Sequence, residues 1–223
     1  MNRTMLTITG VAVVLALASG CGGGKPRLNA GGSTFVYPMM SKWASEYEKA
    51  KGAQVNYQSI GSGGGIQQMT AKTFDFGCTD SPMNEEQLKK CLDNGSEAVH
   101  IPLVMGAVVP AYTLEEVKEP LRFSGPVLAD IFLGKVKKWN DKALAELNPG
   151  VTLPDKEISV VHRSDGSGTT YIWVDYLAKV SPEWKTKVGV GTSVNWPVGI
   201  GQKGNEGIAG QVRRSPGSIG YVK

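Results

Sequence analysis

The residues best suited to chemistry lie in one short run, Arg163-Ser164-Asp165-Gly166-Ser167-Gly168-Thr169. Arg163 offers a planar fork of donors that suits a tetrahedral oxyanion, and the hydroxyls of Ser167 and Thr169 add further donors. A β-branched stretch at 158–161 precedes the run, and an apolar-periodic helix pattern follows it, with Ile172, Trp173, Tyr176 and Leu177 on the buried side. Free backbone N–H groups at such a helix start, together with the helix dipole, favour bound negative charge. Asp165 is the exception in an anion cradle. Its carboxylate either holds Arg163 in place or caps the helix that begins near Gly168.

Three further loops repeat this chemistry after short strand-like segments. They are Ser33-Thr34-Phe35 after residues 28–32, Ser62-Gly63 after 55–59, and Thr79-Asp80-Ser81 after 74–77. Taken singly, Ser33, Ser62, Ser167 and Thr169 also suit ordinary helix caps. Asp80 before Ser81-Pro82 suits a turn, and Arg163 with Asp165 suits a plain ion pair. Four such loops at strand ends instead suggest one ligand held from several sides, three loops coming from the first half of the chain and one from the second.

The elements that must position these loops alternate between strand and helix, which predicts an α/β fold with mostly parallel sheets. Ligands of such sheets collect beyond the carboxyl ends of the strands. A helix is expected from about Pro38, with Met39, Met40, Trp43, Ala44 and Tyr47 as its buried stripe. Further helices are expected from Ile66, over 84–92 capped by Asn84, over 126–133, after Asn140 as cap, from Ser181-Pro182, and over 205–214. The apolar run 98–112, interrupted by Pro102, Gly106 and Pro110, is expected to be a strand crossing from one lobe to the other. A final strand is expected at 219–222. Trp139 and Trp173 are expected in the core with Trp43, and His162 is a strand residue pointing away from Arg163. Gly199-Ile200-Gly201-Gln202-Lys203-Gly204 fits a dinucleotide fingerprint, but with no clear acidic partner it reads as a loop packed on a helix.

The chain of 223 residues carries a formal net charge of +4 with no basic run or basic helix face, which argues against nucleic acid. Two histidines and no CxxC pair give no metal-ligand cluster and no cofactor motif. Arg3 followed by an apolar stretch at 5–18 is too short to span a bilayer and reads as an export signal. Ala18-Ser19-Gly20-Cys21 resembles a bacterial lipoprotein signal in which Cys21 is acylated, although leucine is more usual at Ala18. An ordinary secretory signal with a chance cysteine is the alternative. Residues 1–20 are thus expected to be the signal and 21–27 a flexible tether. For Cys78 and Cys91, a disulfide in an oxidising compartment and two buried thiols are equally compatible with the sequence.

Together the motifs Gly31-Gly32-Ser33-Thr34-Phe35, Gly61-Ser62-Gly63-Gly64, Asp75-Phe76-Gly77 with Asp80, and Arg163 through Thr169 closely resemble the periplasmic phosphate-binding proteins of Pst-type ABC transporters. Trp196-Pro197-Val198-Gly199 and Pro216-Gly217-Ser218-Ile219-Gly220-Tyr221 fit as well. The resemblance implies a two-lobed, type II-like periplasmic binding protein with residues 28–103 in lobe 1 and 104–223 in lobe 2. It implies phosphate ligands at Thr34, Phe35 (through its N–H), Ser62, Asp80, Arg163, Ser167, Gly168 (through its N–H) and Thr169, with Asp165 orienting Arg163. It also implies no catalysis, membrane permease subunits as partners, a lipid-anchored monomer, and a periplasmic or cell-surface location. Family members continue past the equivalent of Lys223, so lobe 1 is expected to be incomplete in this chain.

An acceptor-only carboxylate at Asp80 would reward an oxyanion that still carries a proton and disfavour sulfate. The rival readings are a phosphate-ester hydrolase using Ser167 or Thr169, which would need a base or metal beside the hydroxyl, and a binder of sulfate, molybdate or tungstate. A surface protein that senses phosphate without feeding a transporter is a third.

Overall fold

The computed structural model describes residues 25–223, so the signal segment and Cys21 lie outside the described residues. Two sheets organise the chain into two lobes. The first holds β1 (Arg27–Gly32), β2 (Gln54–Ser59) and β3 (Phe76–Cys78) in the order β2-β1-β3, all parallel. Its helices are α1 (Tyr37–Lys51), α2 (Ser62–Thr70) and α3 (Glu85–Asp93).

The second sheet contains β4 (Val109–Tyr112), β5 (Ser159–Arg163), β6 (Ile200–Gln202) and β7 (Ser218–Val222), ordered β4-β7-β5-β6. β4 runs antiparallel to β7, whereas β7, β5 and β6 are mutually parallel. Around it lie α4 (Gly125–Phe132), α5 (Lys142–Leu147), α6 (Gly168–Val180), α7 (Pro182–Lys187) and α8 (Gly204–Arg214).

Local sequence accounts for most boundaries. Asn84 and Gln87 form a reciprocal capping box at the start of α3. Pro38 sits in the first turn of α1, and Gly52 ends that helix in the left-handed conformation at φ 69°. The cap of α5 is Asp141, whose side chain accepts from the Ala143 N–H, one residue beyond the expected Asn140.

The second lobe has the larger core. Trp139, Trp184, Phe132, Leu144, Leu177 and Tyr221 are fully buried there. Trp173 stacks on Tyr221 at 5.4 Å between ring centroids, and Trp196 stacks on both Tyr221 and His162. Burial of these aromatics supplies the rigid base from which β5 presents Arg163. In the first lobe the buried cluster is small, comprising Val36, Met40 and Cys78.

Several expectations need correction. In α1 only Met40 is buried, and Met39, Trp43 and Tyr47 are exposed, because a three-stranded sheet is too narrow to cover the whole stripe. The run 98–108 is not a strand. It lies outside both sheets, and only Val109–Tyr112 pairs. Val99, Ile101, Leu103 and Met105 are consequently exposed. The glycine motif 199–204 contains the edge strand β6 rather than a loop. Cys78 and Cys91 are free and buried. Among the described residues no helix is long and apolar enough to cross a membrane.

Candidate functional site

β1, β2, β3 and β5 end at one side of the molecule, and the loops leaving them meet there. Sheet-type pairing continues into the first two turns, since Ser33 N–H donates to the Cys78 carbonyl and Ile60 N–H to the Gly32 carbonyl. Tyr57 O–H donates to the Ser33 carbonyl at 2.8 Å and fixes that loop from below.

The two lobes touch through small groups. Gly63 N–H donates across to the Gly166 carbonyl at 2.9 Å. A Cβ on Gly61 (φ 81°) would meet the Gly166 carbonyl oxygen at 2.7 Å, so the approach requires glycine twice over, for its dihedral and for its lack of bulk. A Cβ on Gly168 would stand 2.6 Å from Asp80 Cβ and 2.7 Å from Ser62 Oγ. Gly168 therefore starts α6 directly against Asp80 and Ser62.

Arg163 is 4% exposed and pairs with Asp165 at two points, Nε to Oδ1 at 2.7 Å and Nη2 to Oδ2 at 2.5 Å. Asp165 also accepts the Gly204 N–H, at the start of α8. Of the two roles open to Asp165 in the sequence, it takes the first and holds Arg163, while the cap of α6 is Ser167. Burial works against ionisation of Asp165, but the bonds and charge of Arg163, with the Gly204 N–H, outweigh it and hold the carboxyl below its ordinary range.

The hydroxyls share a common arrangement. Ser62 Oγ accepts from Asp80 N–H at 3.3 Å, and Ser167 Oγ accepts from Thr170 N–H at 3.0 Å. Thr34 Oγ1 accepts from both Asn205 N–H and Asn205 Nδ2, at 3.2 and 3.0 Å, and Thr169 Oγ1 accepts from the same Nδ2 at 3.4 Å. In each of these bonds the oxygen is the acceptor, so the hydroxyl's own proton stays available as a donor. Ser33 differs. Its hydroxyl donates to Asp80 Oδ1 at 2.8 Å, and its oxygen accepts the Phe35 N–H that the sequence assigns to the ligand.

The structure thus brings Thr34, Ser62, Asp80, Gly168 and Thr169 into one connected cluster and places Arg163, Asp165 and Ser167 along its second-lobe wall. Open space of about 450 Å³ borders Asp80, lined by Phe35, Thr79, Ser81, His100 and Lys223 among others, but not by Arg163. Three residues of this cluster lie outside the ligand set that the sequence implies. Ser33 stands in one of the expected ligand loops, with a helix cap as its alternative, but not among the expected ligands. Asn205 carries only the general signal of a helix start after a glycine turn, with nothing in it that points to Thr34. Lys223 carries none: its Nζ lies 3.5 Å from Asp80 Oδ1 and 4.3 Å from the centre of the Phe35 ring. Among the described residues no group of three or more His, Cys, Asp or Glu side chains is placed to hold a metal ion.

Known proteins give the same picture of the fold. The chain is 57% identical over 193 residues to the phosphate-binding protein PstS of Pasteurella multocida, a match that covers 86% of this chain and 55% of that protein. It is 52% identical over 199 residues to the phosphate-binding protein PstS of Xylella fastidiosa strain Temecula1, covering 88% and 53%. The chain thus spans about half the length of these curated relatives. The structure of a high affinity periplasmic phosphate-binding protein bound with phosphate superposes with a TM-score of 0.63 at 18% identity, covering 88% of this chain and 56% of that one. The family described as the PBP superfamily domain matches residues 19–223. By that match over nearly its whole length, this α/β chain with two lobes belongs to the PBP superfamily.

Proposed function

We propose that the chain binds inorganic phosphate between its lobes, outside the cytoplasmic membrane, and delivers it to the permease of an ABC importer. One observation carries this reading: four hydroxyls that only accept within the protein, those of Thr34, Ser62, Ser167 and Thr169, stand on loops that converge with the loop carrying the buried Asp80 carboxylate. That combination offers donors to an oxyanion's oxygens and an acceptor to its remaining proton. In this reading Thr34, Ser62, Ser167 and Thr169 supply hydroxyl donors. Gly168 supplies an N–H group, Phe35 supplies one shared with Ser33 Oγ, and Arg163, oriented by Asp165, supplies charge. Residues 28–103 serve as the first lobe and 104–223 as the second. Relatives at 52 to 57% identity carry the name phosphate-binding protein, which supports the choice of anion.

Binding without catalysis fits the site better than ester hydrolysis. The hydroxyls of Ser167 and Thr169 accept from amide N–H groups, and no hydrogen bond joins either to a histidine or carboxylate among the described residues. We further propose that Cys21 carries a lipid anchor and that the monomer works at the membrane surface. Calorimetric titration of the full chain with phosphate, sulfate present as competitor, tests the main reading. Saturable phosphate binding that sulfate leaves in place is expected, and no phosphate binding refutes it. Replacement of Cys21 by serine should move the protein from the membrane to the soluble fraction.

A further inference from the structure

Asn205 spends its backbone N–H and both ends of its side-chain amide on this site. Its backbone N–H and its Nδ2 both reach Thr34 Oγ1, its Nδ2 also reaches Thr169 Oγ1, and its Oδ1 accepts the Lys223 N–H at 3.3 Å. The last bond fixes the orientation of the amide. A backbone N–H can only donate, so the atom facing it must be oxygen, and the NH₂ must face the threonines. Both threonine oxygens then act as acceptors toward Asn205, and their protons must point elsewhere. Thr34 stands on the first lobe and Thr169 on the second, while Asn205 opens α8 with its residue buried between them.

We infer that Asn205 is a positioning residue for the anion: it bridges the lobes and forces the Thr34 and Thr169 hydroxyls to present their protons to the ligand. Without it, each hydroxyl is free to rotate its proton toward a neighbouring acceptor, and part of the donor set is lost before the anion arrives. The inference rests on the phosphate-binding reading above and adds a residue to it. Asn205 has no need to touch phosphate itself.

The test is a double-mutant cycle on the full chain, read by phosphate calorimetry, with Asn205→Leu and Thr34→Val as the single variants. Asn205→Leu should weaken phosphate binding by about tenfold or more, the scale of one to two hydrogen bonds. In the Thr34→Val background the same substitution should cost at least about threefold less, because the hydroxyl it directs is gone. A merely structural role predicts equal factors in the two backgrounds. Equal factors, or an unchanged affinity in Asn205→Leu, would overturn the inference while leaving phosphate binding intact. Failure of the wild type to bind phosphate would overturn the parent reading and this one with it. Should Asn205→Leu not fold, Asn205→Asp serves. It keeps the shape and the acceptor for Lys223 N–H but recaptures the threonine protons, so it too should weaken binding by about tenfold or more, and unchanged affinity there overturns the inference.

Discussion

The Arg163 guanidinium and the Asp165 carboxylate face each other edge to edge, joined by two parallel bonds of 2.7 and 2.5 Å, with Arg163 almost wholly buried. Geometry of this kind fixes the plane of the guanidinium, which a single-point contact would leave free to rotate. It also means that the arginine's charge is already balanced within the second lobe.

Removing one partner should cost more than the pair contributes. Asp165→Asn leaves Arg163 buried without its counter-ion, at an expected cost of about 3–5 kcal/mol at neutral pH. Because the folded carboxyl titrates below its ordinary value, its stabilisation is complete above about pH 5, where both states are ionised, and is lost as the pH falls through the lower folded value. Thermal melts of both proteins between pH 7 and pH 2.5 check this. The wild-type advantage should be constant above about pH 5 and shrink below about pH 4.

Asp80 should act on selectivity more than on affinity. Its Oδ1 is engaged by the Ser33 hydroxyl and lies 3.5 Å from Lys223 Nζ, while no protein donor bonds its Oδ2 among the described residues. Asp80→Asn replaces an obligate acceptor with a group that also donates, so sulfate should gain relative to phosphate by about tenfold or more. Competition titration reads the ratio directly, and an unchanged ratio would discard the proton-sensing role.

Gly168→Ala tests how closely the lobes must meet. The new methyl would press on Asp80 Cβ and Ser62 Oγ at 2.6 and 2.7 Å, across the boundary between lobes rather than within one. The fold should therefore persist, with a melting temperature within a few degrees of wild type, while phosphate affinity drops by at least about tenfold. Equal affinity would mean that the cleft does not close as tightly when occupied.

How much of this was legible from the residues depends on distance along the chain. Helix starts, the order of loops and the Arg163–Asp165 pairing are local, and glycine, proline and capping side chains announce them. The expected apolar stripe of α1 was correct in period yet wrong in burial for Trp43 and Tyr47, because periodicity says which residues share a face and not what covers that face. The run 98–108 looked like a strand for the same reason, and pairing partners decide that question. Asn205 lies 171 residues from Thr34, and nothing in either neighbourhood reveals the contact. The site is built from such long-range meetings, so its ligand loops could be picked out while the residue that links them could not.

The charges around the cleft cancel. Arg163 is offset by Asp165, and Asp80 by Lys223, whose side chains are buried with 4% and 9% exposed. On the proposed reading an approaching dianion would meet little net attraction at long range, and dipoles of short reach would do the holding. Association kinetics should respond weakly to ionic strength, with stopped-flow rate constants changing less than about threefold between 0.01 and 0.5 M salt, where a cationic pocket would slow steeply.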